Sequence, residues 1–483
     1  MPHHAPPENL SRTPLRPARM RPDTVLWVTL AVFAQESVWN FYDAQVPAQL
    51  RQYLTSAGLI GLIMGLDNVL GVLIQPWTGF LSDRRARQGR SRWGIILAGA
   101  ALASVPFALI PWAGGLPALM LCVIAFAATA NAFKGVTETL FSDYVSPVHR
   151  GRAQGFVKAG VGLTIVVSSL ISLLVVDRGI GLAFAIPPAL LLVLLLTSWT
   201  FLRHRPTGGG ASDVTTGPEG DEGRRTGPDG PALTPPDGAA GTGPDGPALT
   251  PPDGAAGTGP DGAARTGRAH GAITGRDEGA VLASPWAVVR DLVRDPSRAR
   301  VLLMLGIFCF AGMWSALRTL LTPYGTETLG LSRGAAGGLA LPGAIVFLVC
   351  VIPLAYLSSR LGQVRAIRHG VALFVAGLLV GAAVPTVPGT VTALVLASAG
   401  YATFAVNALV VLWDLAPSRH VVGTYTGLYT VASSAGAALG PALLGLVVDA
   451  TGWRFKFLDG AAFAAVTYLV FTLLARRVTP ART

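Results

Sequence analysis

Several charged side chains stand inside apolar sequence, where charge is expensive. Glu36, Asp43 and Asp67 fall in the first two long apolar runs, Lys134 and Glu138 in the fourth, Lys158 early in the fifth and Arg318 near the end of the seventh. A carboxylate at the centre of a bilayer costs roughly 2.5–3.5 kcal/mol on insertion scales, so such groups normally face a partner or a water-filled cavity. Desolvation favours the neutral acid, which equips Glu36 and Asp67 to take up and release a proton near neutral pH. A structural acid capped by a neighbouring helix is the alternative reading for both. Lys134 and Glu138 are four residues apart, hence on one face of a helix, and Lys158 is placed to join them. That cluster reads either as a static salt bridge or as one that breaks and re-forms during a conformational cycle. Amides and aromatics in the same runs (Trp39, Asn40, Asn68, Gln75, Asn131, Trp314 and Asn407) offer hydrogen bonds and a stacking platform to a small polar molecule; a lone Trp also reads as packing or an interfacial anchor.

The elements that must position these groups are apolar runs of about 20 residues or more, each long enough to cross a bilayer as a helix. They lie near 24–46, 56–81, 93–113, 116–142, 154–176 and 181–203, then 299–322, 333–357, 366–386, 390–416, 421–448 and 455–475. The implied class is an all-α integral membrane protein with twelve transmembrane helices in two six-helix bundles. The boundaries are a tail at 1–23, a first bundle at 24–205, a linker at 206–283, a second bundle at 284–476 and a tail at 477–483. Arginines crowd the even-numbered loops, as with Arg84, Arg85, Arg87, Arg90 and Arg92 after the second run, while the loops after the third and ninth have no basic residue. Both termini are therefore expected in the cytoplasm of a plasma-membrane protein. The last loop, with Arg454 and Lys456, runs against that pattern.

Bulk composition agrees. The chain has 483 residues, 51% hydrophobic and 13% charged, too little polar surface for a soluble protein of this size. Its net charge of +11 sits in short loops, so it reads as topology and not as a nucleic-acid footprint. Cys122, Cys309 and Cys350 lack the spacing of a zinc site or disulfide framework, and no metal or cofactor is expected. Residues 206–283 are rich in Gly, Pro, Asp, Thr and Ala, with TGPDGPALTPPDGAAG at 226–241 repeated unchanged at 242–257. Such sequence has nothing to bury and is expected to be a disordered cytoplasmic tether, either a neutral expansion or a docking segment.

The halves echo each other. Gly151, Gly155 and Asp177 recur at one constant offset as Gly423, Gly427 and Asp449, and Phe33 and Trp39 match Phe308 and Trp314. Asp43 and Arg318 both stand four residues after the matching tryptophans, and read either as two solvated charges at the outer rim or as a pair that forms only when the outer mouth is closed. Repeated halves with a binding site near the midplane are the architecture of a rocking secondary transporter. The pairs Gly61/Gly65, Gly151/Gly155, Gly423/Gly427 and Gly436/Gly440 read as close helix packing.

With Gly79-x-x-x-Asp83-Arg84, then Gly89-Arg90 and Arg92, the chain resembles the major facilitator superfamily, whose signature loop joins the second and third helices; the second half has only Ala355-x-x-x-Ser359-Arg360. The glycine-rich Gly436-Ala-Ala-Leu-Gly440-Pro441 is similar to the superfamily's eleventh helix. The resemblance implies that Asp83 and Arg90, supported by Gly79 and Arg84, stabilise the outward-open state by bridging the halves, in a fold that usually works as a monomer. Gln75-Pro76-Trp77-Thr78-Gly79 is similar to the sucrose–proton symporters. The melibiose-type relatives bind sodium through two carboxylates on this helix, where this chain has Gln75 and Gly71, which points to a proton. The expected function is a proton-coupled disaccharide or glycoside symporter, with a proton-driven exporter of drugs or secondary metabolites as the alternative. A membrane enzyme or flippase-like scaffold would need a clustered His/Asp/Glu or metal constellation, and the seven histidines form none.

Overall fold

The computed structural model describes residues 22–145, 150–204, 290, 292, 294–416 and 422–478. The repeat linker and the terminal tails, apart from the residues just inside them, lie outside this set. The described chain is entirely helical. The first half contributes α1 (Pro22–Leu50), α2 (Ala57–Arg87), α3 (Trp93–Leu109), α4 (Leu116–Tyr144), α5 (Arg150–Ile171, continued by a π-helical turn at Ser172–Val176) and α6 (Ile180–Leu202). The second contributes α7 (Ala299–Thr319), α8 (Leu321–Glu327), α9 (Arg333–Gly338), α10 (Leu341–Leu361), α11 (Gln363–Ala383), α12 (Val387–Asp414), α13 (Val422–Thr451) and α14 (Lys456–Val478). Among the described residues 11 spans are long and apolar enough to cross a membrane. The helix left out of that number is α1, which is equally long but carries Glu36, Asp43 and the buried Gln35, Asn40, Gln45 and Gln49. The twelve expected runs thus all lie on helices, with α9 and α10 making one span, Arg333–Ser358.

Apolar residues surround these helices because two different surfaces need them. Each half has its own aromatic core: Phe41, Tyr42, Phe107, Phe126 and Phe184 in the first, Phe310, Phe374, Phe404 and Phe471 in the second. Leu73, Trp77, Phe80, Leu121, Val193 and Tyr356 remain exposed on the outside, as a surface solvated by lipid requires. Pro47, Pro76, Pro106, Pro353 and Pro441 sit within helices, and the Ala437 carbonyl that Pro441 frees accepts from Ser315 of α7 at 3.1 Å.

The halves meet along α2 and α13. A Cβ at Gly61 or Gly65 would overlap the backbone of Pro441 or Ala438, and one at Gly445 that of Ala57. Gly436 and Gly440 lie equally close to Phe308 and Gly312 of α7. Gly427 differs from the packing expectation: nothing stands within 4 Å of where its Cβ would be.

The two ends of the molecule are unlike. Where α1 passes into α2, the halves are tied together. Arg51 pairs with Glu327 at 2.9 Å, Thr322 donates to the Ala44 carbonyl at 2.6 Å, and Arg333 donates to the side chains of Gln45 and Gln49 at 2.9 and 2.7 Å. At the opposite end, where α2 passes into α3, no hydrogen bond or ion pair between described residues joins the halves. Lys456 is no loop charge, contrary to the sequence pattern. It is buried at the start of α14, its Nζ donating to the Leu317 carbonyl at 3.1 Å beside the rings of Tyr324 and Phe457. That carbonyl lies where the α-helix is interrupted between α7 and α8, so the ammonium occupies a backbone acceptor freed by the break.

Candidate functional site between the halves

A cavity of about 850 Å³ lies between the two halves. Helical spacing explains its walls. Glu36, Asn40 and Asp43 recur along one face of α1, Asp67, Asn68, Gly71 and Gln75 along one face of α2, and Asn131, Lys134 and Glu138 along one face of α4, all lining the space. Residues three and four apart share a helix face, so three polar stripes converge.

Glu36 pairs with Lys134 at 3.0 Å, joining α1 to α4. The sequence groups Lys134 with Glu138 and Lys158 in one charged cluster of the fourth and fifth helices. The pairing runs instead to α1, and the Lys134 ammonium stands 5.7 Å from the Trp39 ring. The cross-helix carboxylate is the more buried partner, so it gains more from a counter-charge. Glu138 and Lys158 line the same cavity without an ion pair among the described residues.

Asp43 and Arg318 come together at 3.5 Å across the two halves. Arg318 also donates to the Asn40 Oδ1, while the Asn40 amide donates to Thr164 at 2.7 Å and to the Glu36 carbonyl at 3.0 Å. Both charges line the cavity, deeper than the rim position that the sequence suggested.

Asp67 is different. Its Oδ1 accepts from the backbone and side-chain nitrogens of Asn68 at 2.6 and 2.7 Å, and no cation among the described residues forms an ion pair with it. Next to it Gln75 donates to Asn131 at 2.9 Å, and Asn131 donates to the carbonyls of Asp67 and Ala127. Asn131 is thus engaged at both ends of its amide, whereas Gln75 gives one hydrogen bond to it.

The facing wall from the second half is aromatic. Trp314 and Tyr401 stack with centroids 3.9 Å apart and planes 3° from parallel. Phe347 lies 5.8 Å from Tyr401, and Tyr429, Ser433 and Ser434 complete the surface. Sequence reasoning missed Tyr401, Phe347 and Tyr429 and chose Asn407 instead. Asn407 is buried away from the cavity, donating to Ser358 at 2.8 Å and to the Thr403 carbonyl at 2.7 Å. It stands roughly 120° around α12 from Tyr401 at 100° per residue, whereas Ala405, one turn from Tyr401, does line the cavity.

The signature loop is also placed. Asp83 pairs with Arg92 at 2.7 Å, and Arg92 reaches Asp143 at 3.0 Å and Ser82 at 2.9 Å. Asp83 therefore pairs within the first half and not across to the second. Arg84 and Arg90 are exposed, and no atom stands within 4 Å of where a Cβ on Gly79 would lie.

The family model described as Major Facilitator Superfamily matches residues 24–369 and 303–483. A 136-residue stretch is 30% identical to the "Drug efflux pump JefA" of Mycobacterium tuberculosis, in strains CDC 1551 / Oshkosh and ATCC 25618 / H37Rv. That match spans 28% of this chain and 26% of the pump, so the chain covers about a quarter of that curated relative. Among solved structures, a bacterial homolog of the human lysosomal transporter Spinster, inward-facing and occupied, superposes with a TM-score of 0.66 at 15% identity, covering 96% of this chain and 100% of that one. The nucleoside transporter NupG gives 0.64 at 12% identity, covering 94% and 99%. An auto-inhibited POT family peptide transporter gives 0.63 at 13%, covering 96% and 98%. At such identities the likeness concerns the fold alone.

Proposed function

Because the chain belongs to the Major Facilitator Superfamily, we propose that it is a proton-coupled transporter working by alternating access, with Asp67 as the principal proton carrier. The observation that carries the reading is the contrast among the cavity acids. Glu36 and Asp43 each have a cation, and Glu138, which has none among the described residues, is exposed, whereas Asp67 is set further into the wall and held only by its neighbour Asn68. A carboxylate without a cation in a wall that water can reach is the group whose charge a proton most readily removes. Neutralising it removes the penalty of carrying a bare charge through the occluded state. With the arginine-rich loops taken as cytoplasmic, the end where α1 passes into α2 is the outer one, and this reading has the protein act as a monomer in the plasma membrane.

The cargo that suits the two walls is an apolar molecule with an aromatic ring, and export is the direction. The Trp314–Tyr401 stack and Phe347 offer ring faces, a surface that rewards aromatic area. The local similarity to a drug efflux pump points the same way. A second reading, uptake of a disaccharide or glycoside, rests on Gln75-Pro76-Trp77-Thr78-Gly79 and on the Asn68 and Gln75 amides in the cavity wall. It is the weaker because Gln75 already donates to Asn131, and the Asn131 amide is taken up by the carbonyls of Asp67 and Ala127.

Proteoliposomes decide between the two. Ethidium movement driven by an imposed pH gradient, with labelled disaccharides ignored, is the expected result; gradient-driven disaccharide accumulation would favour the second reading. The Asp67→Asn variant should retain exchange of cargo across the membrane at zero gradient while losing accumulation driven by the gradient. Undiminished gradient-driven accumulation in that variant would sink the role given to Asp67.

A further inference from the structure

The repeat that placed Asp177 and Asp449 at equivalent positions has no part in the proposed coupling, yet both carboxylates do the same thing. Asp449, near the end of α13, crosses to the first half and accepts from the Ser56 hydroxyl at 2.5 Å, the Ala57 amide at 2.6 Å and the Gly58 amide at 3.0 Å. Asp177, just after α5, crosses to the second half and accepts from the Ser332 hydroxyl at 2.5 Å and the Gly334 amide at 2.8 Å. Each serine is the N-cap of the helix it begins: Ser56 also accepts from the Leu59 amide and Ser332 from the Ala335 amide. A Ser-x-Gly start is common to the two sites, and the glycine has a steric reason. A Cβ on Gly334 would stand 2.5 Å from the Asp177 Oδ2, and one on Gly58 would stand 3.1 Å from the Asp449 Oδ2.

We infer that Asp177 and Asp449 are paired latches that hold this mouth of the transporter closed, and that opening it requires both to let go. First-turn amides and the positive end of a helix are where a carboxylate is held best, and charge-assisted hydrogen bonds are about twice as strong as neutral ones. Both bridges join opposite halves, and they are related by the internal repeat. A rocking motion about that pseudo-symmetry therefore breaks them together. They act beside Arg51–Glu327, which has no counterpart related by the repeat among the described ion pairs.

The test needs neither cargo nor proton, so its failure is separable from failure of the proposed function. The full chain carrying Cys122→Ala, Cys309→Ala and Cys350→Ala receives Thr319→Cys, a buried cavity position near the closed mouth. It is reconstituted in vesicles of known sidedness and exposed to a membrane-impermeant maleimide from that face. Asp177→Asn and Asp449→Asn are each expected to raise the labelling rate about tenfold, the effect of losing roughly one charge-assisted interaction from the closed state, and the double variant further. Asp459→Asn, which loses a hydrogen bond from Thr451 inside its own half, should not change it. Unchanged labelling in both single variants, or a change in one alone, overturns the paired latch. Should either asparagine variant fail to accumulate, Ser56→Ala and Ser332→Ala each remove one of the bridging donors and carry the same expectation in weaker form.

Discussion

The two halves share one fold and place charge in opposite ways. The first half turns Glu36, Asp43, Asp67, Lys134, Glu138 and Lys158 toward the cavity, on stripes of α1, α2, α4 and α5. The second half lends the cavity a single charge, Arg318, and otherwise aromatic, hydroxyl and small aliphatic side chains. Its remaining described charges work at helix ends: Asp295 with Arg300 before α7, Lys456 on the Leu317 carbonyl, Asp449 on the start of α2. The lesson is that a duplicated scaffold does not duplicate chemistry. Charge deep in a membrane protein persists where water or a partner reaches it, so one wall can be specialised for ions while its twin remains free to receive an apolar molecule.

The largest effect should come from breaking the charged wall. Lys134→Met leaves the half-buried Glu36 without its cation, and since removing one member of a fully buried pair costs about 3–5 kcal/mol, a loss of about 2 kcal/mol is expected at this cavity wall. A clearly lower melting temperature is expected together with loss of transport. Glu36→Gln combined with Lys134→Met removes both charges and should recover most of the stability but none of the transport. A single variant that melts like the parent would show that the pair is solvated and that the cavity wall is less demanding than its geometry implies.

The aromatic wall should respond in affinity instead of stability. Tyr401→Ala removes the ring stacked on Trp314, and aromatic pairs are worth about 0.5–1.5 kcal/mol beyond their buried area. Binding of ethidium should weaken about tenfold at most, with Tyr401→Phe close to the parent and disaccharide binding indifferent to both. Equal loss for an aromatic and a non-aromatic probe would mean that Tyr401 shapes the cavity without contacting cargo.

How far all this was readable differs between the walls for a physical reason. Helical spans announce themselves as apolar runs because lipid demands them, and a charge inside such a run stands out. Glu36, Asp67 and Lys134 were therefore visible, and the matching tryptophans brought Asp43 and Arg318 into the same thought. Partner choice was not visible: Lys134 takes Glu36, almost one hundred residues away, in preference to Glu138 one turn away, which only the packing of α1 on α4 decides. Nor was the aromatic wall visible. Tyr401 and Phe347 are apolar residues in apolar runs, and sequence cannot tell a ring that faces lipid from one that faces a cavity. The error at Asn407 has the same origin, since a polar residue in a span satisfies itself against Ser358 as readily as it meets cargo.

The smallest effect sharpens the contrast from the side of the second half. Asp295 lies outside the membrane-spanning segments, just ahead of α7. Burial works against its charge, but the Ser297 hydroxyl, the Arg300 guanidinium and the Ser297 amide all donate to it and hold its carboxyl below the usual carboxylate range. A group whose folded value is depressed stabilises the protein above its unfolded value, about 3.9 for aspartate, and loses that contribution as pH falls through the folded value. Asp295→Asn should therefore cost about 1 kcal/mol near neutral pH, read as a modest drop in melting temperature. The gap from the parent should stay constant down to about pH 5 and close in stronger acid. Transport per folded molecule should be unchanged, because this charge anchors a helix end and faces no cargo. A variant that instead altered the pH profile of transport would move Asp295 into the coupling machinery, and the division of labour between the halves would have to be redrawn.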